Sequence, residues 1–175
     1  VRYRIALIAV LGVLALALVG CGNGSSSSSA SAPAAAGTTA TTGQIKLAKT
    51  KFVLHAGLAF GAFHRWIYKP AKAGTLRHPF AHPLTAAKAA LAGAFVYHEL
   101  KLALADAQSD PTLSKLVAPI TALQDKIHGV ADSAKSSGVS TGDAGSLDSA
   151  ISSIKGEASG AGATINEQTP SSPSG

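Results

Sequence analysis

The chain has 175 residues, of which 46% are hydrophobic and 14% charged, with a formal net charge of +6 and a single cysteine. That length and apolar content suffice for one core of moderate size. One cysteine excludes an intramolecular disulfide framework, so the fold must hold by packing alone.

Arg2 and Arg4 form a short positive segment, and residues 5–19 are apolar or glycine throughout, the pattern of a secretory signal. The run ends in Leu18-Val19-Gly20-Cys21, which resembles the bacterial lipobox: leucine three residues before cysteine, with small residues between. The resemblance implies a signal peptide over 1–20, cleavage before Cys21, and attachment of diacylglycerol to its thiol, with further acylation of the palmitate type at the new amino terminus. The location implied is the outer face of the cell membrane. Val1 in place of methionine fits a literally translated GTG start. The alternative is an uncleaved anchor, for which the apolar run falls short of the roughly 20 residues of a spanning helix.

Residues 21–43 comprise the lipidated cysteine and a Ser/Ala/Thr/Gly stretch with no charge and no large apolar side chain, read as a flexible linker with a reach of roughly 25 Å. Residues 160–175 read as a disordered tail ending in Pro170 and Pro173. Between them, 44–159 is the helical domain, with no internal repeat.

Apolar spacing in this domain is helical rather than alternating, and four helices are expected. The first covers about 45–68 with Ile45, Ala48, Phe52, His55, Ala59, Phe63 and Trp66 on its inner stripe, and is broken by Pro70 and Gly74. The second covers about 84–108, its stripe being Leu84, Ala87, Leu91, Ala94, Phe95, His98, Leu102 and Ala105. Gly57 and Gly61, opposite Ala86, Ala90 and Ala94, would let these two helices approach closely. The third begins at Asp110 as N-cap with Pro111 in the first position. It continues through Leu113, Leu116, Ile120, Leu123, Ile127, Val130 and Ala134, with a kink at Pro119 and an end at Gly138. The fourth covers about 143–155, with Leu147, Ile151 and Ile154 inward. The fold class expected is all-α, a small four-helix up-and-down bundle of two hairpins. Neither of the first two helices is expected to span a membrane. The 13 residues between Lys51 and Arg65 give about 20 Å of helix, against about 30 Å of hydrocarbon.

Charge divides unevenly. Residues 45–101 hold nine Lys or Arg and one acid, whereas residues 102–175 hold four Lys and eight acids; every aromatic residue beyond the signal lies at or before Tyr97. Either the two halves pair by charge with the aromatics inside, or a basic aromatic face is displayed toward anionic lipid head groups or an acidic cell-wall polymer. The proline-restricted connection after the first helix gathers Arg65, Trp66, Tyr68, Lys69, Arg77, His78 and His82, the candidate binding surface. Nucleic acid is not an expected partner of an exported chain.

The six histidines offer no metal motif. His55 and His64 lie on opposite sides of a helix, His78 and His82 are separated by proline, and His98-Glu99 lacks a second zinc-ligating histidine. Gathering of His55, His64 and His98 by the fold is the one route to a metal or small-molecule site. No nucleophile elbow, phosphate loop or free catalytic cysteine is present, so neither an enzyme nor a cofactor is expected. The segments from Lys51 to His64 and from Tyr97 to Lys101 resemble uncharacterised lipoproteins of high-GC Gram-positive bacteria, a likeness that implies no particular activity. The expected role is binding or envelope structure at the membrane. The alternative is small-molecule or metal binding through histidines of the first hairpin.

Overall fold

Alanine, leucine and phenylalanine dominate the segment after residue 47, and these residues propagate a helix once one face is buried. A computed structural model describes the backbone of residues 37–175, with side chains from residue 47 onward. The lipobox residues Leu18, Val19, Gly20 and Cys21, the signal segment and the first part of the linker lie outside the described residues. The architecture is an all-α small helical bundle, with no strand among the described residues.

Helix α1 (Gly37–Phe63) starts inside the stretch expected to be linker. Extending a helix that is already packed needs no new nucleation, and this is how it runs back through a Thr- and Gly-rich stretch of weak helix formers. It buries Ala48, Phe52, Ala59 and Phe63 of the expected stripe together with Ala56 and Phe60, whereas His55 and Trp66 of that stripe are only half-buried. Pro70 does not break the helix as expected. A π-helical segment, His64–Tyr68, intervenes, and the Lys69 amide donates to the His64 carbonyl. Widening the turn accommodates a proline that has no N–H to offer. The chain then continues as α2 (Lys69–Lys72) and turns at Gly74.

Helix α3 (Pro83–Ser109) has proline in its first turn. Its expected inner stripe is overturned: Leu84, Leu91 and Leu102 are exposed, and the buried face is Ala92, Val96, Glu99, Leu100, Ala103 and Ala107. Small residues on that face bring backbones close, and α1 and α3 share the most extensive helix contact of the fold. Asp110 caps the next element as expected, its Oδ1 accepting from the Thr112 amide at 2.8 Å. That element is a 3-10 segment, Pro111–Leu116, which becomes α4 (Val117–Ser137). The change of helix type falls between Leu116 and Val117, two to three residues before Pro119, where a kink was expected.

Gly138, at φ 70°, ends α4, and the following Val139 amide donates to the Leu76 carbonyl at 3.0 Å. A side chain at Gly138 would strike that same Leu76 carbonyl, so the position demands glycine twice over. Helix α5 (Thr141–Gly160) is longer than expected. A capping box starts it: Ser140 Oγ accepts from the Asp143 amide while Asp143 accepts from the Ser140 amide. Leu147, Ile151 and Ile154 are buried, as expected.

The segment expected to be a disordered tail is instead packed. Ala163 and Ile165 are buried in the main core, and the Gln168 amide donates to the Gly57 carbonyl at 3.0 Å. A Cβ at Gly57 or Gly61 would meet the carbonyl oxygens of Asn166 and Gln168. These glycines admit the tail, not a second helix.

Candidate functional site

Three features of the described residues have the chemistry of a site. The first is the outer face of α1 and α3. Leu84, Lys88, Leu91, Phe95, His98 and Leu102 follow one another at intervals of three or four, which places them on one side of α3. Leu84 is 79% exposed and Leu91 54%, and Phe80, on the loop before them, is 92% exposed. On α1, Leu47 and Leu54 are exposed one heptad apart, with Lys51 between them. Trp66 is half-buried; the Arg65 guanidinium lies 5.3 Å and the Lys88 ammonium 5.8 Å from its ring. Lys72 stands similarly over Tyr68, at 5.8 Å. The structure therefore joins Arg65, Trp66 and Lys88, while Lys69, Arg77, His78 and His82 are each exposed. Lys88 was missing from the expected surface because it lies on the next helix.

The second feature is a pair of histidine–carboxylate clusters. His55 Nδ1 lies 2.7 Å from Glu99 Oε2, and its Nε2 lies 3.9 Å from Asp106. Burial pushes the Asp106 carboxyl above its usual range, opposed by the nearby His55 and Lys51. His64 Nδ1 meets Glu167 at 2.6 Å, its Nε2 meets Asp148 at 2.7 Å, and Lys155 also reaches Glu167 at 2.6 Å. Burial pushes Glu167 up, but the hydrogen bonds from Lys155 and His64 outweigh it, and the carboxyl sits below its usual range. These contacts tie α1 to α3 and the tail to the bundle. Proximity of Glu99, the only acid among nine basic residues in its half, was the sequence signal for the first cluster.

The histidines do not gather around one point. His55 and His64 are each taken up by their own carboxylates, and His98 is exposed. Among the described residues no group of three or more His, Cys, Asp or Glu is arranged to hold a metal ion.

The third feature is a cavity of about 550 Å³ between the first half of α3 and the second half of α4, floored by Phe63, Ile67, Val96 and Leu147. No sequence motif marks it. Its signal is the set Ala86, Ala90, Gly93 and Ala94, too small to fill the space that they face. No helix among the described residues is long and apolar enough to cross a membrane. No protein-family model, curated protein or solved structure matches the chain.

Proposed function

We propose that the chain is a lipid-anchored extracytoplasmic protein whose helical unit rests on its own membrane through the outer face of α1 and α3, in a binding or envelope-structural role. The lipobox-like tetrapeptide ending in Cys21 supports the anchor. The single observation that carries the docking is the exposed row Leu84, Leu91 and Leu102, accompanied by Lys88 and joined to Arg65 through Trp66.

Large leucines in a row on a helix already packed on its other side are costly to leave in water. Burying one fully is worth about 1.5–3 kcal/mol. Each basic residue near an anionic surface adds about 1 kcal/mol. Arg65, Lys88 and Lys51 supply that charge where the leucines would enter the interface, and the aromatic rings suit head-group depth. The exposed leucines and the basic residues beside them thus match an anionic bilayer in both its apolar and its charged parts.

Trp66 is the only tryptophan and belongs to this face, so it reports directly. The full chain reconstituted in anionic vesicles containing brominated lipid should show quenched Trp66 emission at low salt. Quenching should weaken at high salt, in neutral vesicles, and in a variant with Leu84, Leu91 and Leu102 all changed to Ser. Emission indifferent to lipid charge and to these substitutions would refute docking. The anchor has its own test: Cys21→Ser should abolish lipid incorporation and shift the processed chain out of salt-washed membranes, and unchanged retention would refute it.

A further inference from the structure

The cavity between α3 and α4 adjoins the face of α3 that carries the exposed leucines: Ala94, in its lining, is three residues from Leu91, about 60° around the helix, and Gly93 lies farther round, at about 160°. Its walls are hydrocarbon: Ala86, Ala90 and Gly93 on α3 face Ala131 and Ala134 on α4. From Ala86 to Tyr97 the α3 wall runs roughly 16 Å at the helical rise, so the space is a trough rather than a compact hole. At about 550 Å³ it falls within the range of about 300–1,000 Å³ typical of small-molecule sites.

The distribution of side chains is the reverse of ordinary packing. On α3 the large residues Leu84, Leu91 and Leu102 point to solvent, whereas alanines and a glycine face the trough. A Cβ at Gly93 would meet nothing within 4 Å. Glycine in the middle of a helix costs about 0.5–1 kcal/mol relative to alanine, and here no neighbour demands it. Its effect is to leave the trough open.

Polar groups lie at the rim. The Tyr97 ring packs edge-on against His128 at 4.5 Å, and both residues line the trough. Lys135 lies along the α4 side, its ammonium 2.7 Å from Asp132, an exposed i,i+3 pair of the kind that contributes little. An apolar wall with one cationic group, Lys135, and a histidine at its edge selects a ligand that is hydrocarbon for most of its length and anionic at one end.

We propose that this trough binds one unbranched acyl chain, with its carboxylate or phosphate at Lys135 and His128. The hydrocarbon lies over Phe63, Ile67 and Leu147, and the anionic head exchanges with Asp132 for the Lys135 ammonium. A ligand-binding role of this kind is separable from the docking face, because the lining of the trough includes none of Leu84, Leu91 and Leu102.

The test is photo-crosslinking of the full chain in detergent micelles with a diazirine-bearing palmitate and, separately, a diazirine-bearing phosphatidylglycerol, followed by peptide mapping. Label on the α3 and α4 walls is expected, and the probe that labels them more strongly identifies a free fatty acid or a membrane lipid as the source. Gly93→Phe fills the trough and should reduce wall labelling at least tenfold while circular dichroism shows the helical content retained. Lys135→Glu, on the surface, should weaken labelling by the palmitate probe but not by its uncharged alcohol analogue. Label confined to the outer leucines or the N-terminal apolar run, or wall labelling by the palmitate probe unchanged in either variant, would overturn the site. Changing Leu84, Leu91 and Leu102 to Ser should leave wall labelling intact, which separates this result from failure of membrane docking.

Discussion

The Gln168 amide donates to the Gly57 carbonyl at 3.0 Å, and so the last segment of the chain is fastened directly to the backbone of α1. The fastening is possible because Gly57 has no side chain: a Cβ there would fall on the Asn166 carbonyl. A helix carbonyl already used within its helix has a second lone pair, and the tail takes it.

Gly57→Ala is therefore expected to reverse the usual sign of a glycine-to-alanine change within a helix. At Gly129, where a Cβ would meet nothing within 4 Å, alanine should stabilise by about 0.5–1 kcal/mol. At Gly57 the methyl group must displace the tail, and net destabilisation is expected. Hydrogen exchange at the Gln168 amide gives the specific readout: it should quicken in Gly57→Ala and stay slow in Gly129→Ala. Equal protection in both would show that the tail is held elsewhere.

The same tail is held electrostatically by Glu167, and this makes its attachment acid-sensitive. The Glu167 carboxyl has its pKa held below the ordinary value of 4.5, since hydrogen bonds from Lys155 and His64 overcome the upward push of burial. A depressed carboxyl pKa contributes stability that is fully present above the unfolded value and is lost as pH falls through the folded one. Tail protection should accordingly be constant from neutral pH down to about 4.5 and decline below it. Glu167→Gln should show weaker protection at neutral pH and lose that acid-dependent step. A step that persists unchanged in the variant would assign it to another group.

Much of this fold was legible because its signals were local. Asp110 followed by Pro111 marks a helix start by capping geometry alone, and Gly138 marks an end because its backbone is left-handed. Leu147, Ile151 and Ile154 define the inner face of α5 because the remainder of that helix is polar or small. The inner face of α3 was not legible for the converse reason. Apolar residues occur all around it, and its buried side uses Ala92, Ala103 and Ala107, whose small size reflects close backbone approach and not the volume by which a core stripe is recognised. The site followed the same division. Arg65 and Trp66 are neighbours in sequence, whereas Lys88, Asp148 and Glu167 reach their partners only through tertiary folding. The cavity is a property of missing volume, visible only once two helices face one another.

Asp106 provides a prediction of opposite sign to Glu167. Its carboxyl is pushed above the ordinary value of 3.8 by burial, which the nearby His55 and Lys51 only partly offset, and its Oδ2 is buried without a hydrogen-bond partner. A raised carboxyl pKa means that the folded state disfavours the ionised form, so the penalty is absent below the unfolded value and develops as pH rises through the folded one. Asp106→Asn should be neutral in acid and more stable than the parent at pH 7. Urea denaturation at the two pH values checks this, and a loss of stability confined to pH 7 would mean that attraction to His55 outweighs burial.

The orientation of α3 yields the most direct contrast, because two leucines nine residues apart should behave differently. Leu100 is fully buried in the main core, whereas Leu91 is 54% exposed on the outer face. Leu100→Ala removes packed hydrocarbon and leaves a space that the surrounding helices only partly refill, at a cost of about 2–5 kcal/mol. Leu91→Ala removes a side chain from water and places a stronger helix former at an exposed position, so the change should stay within about 0.5 kcal/mol. Thermal denaturation of the two variants measures the difference. In anionic vesicles the order should invert for binding: Leu91→Ala weakens docking in a chain that remains folded. Comparable destabilisation by both substitutions would mean that the outer face of α3 is covered in the folded chain, and the docking surface would have to be sought elsewhere.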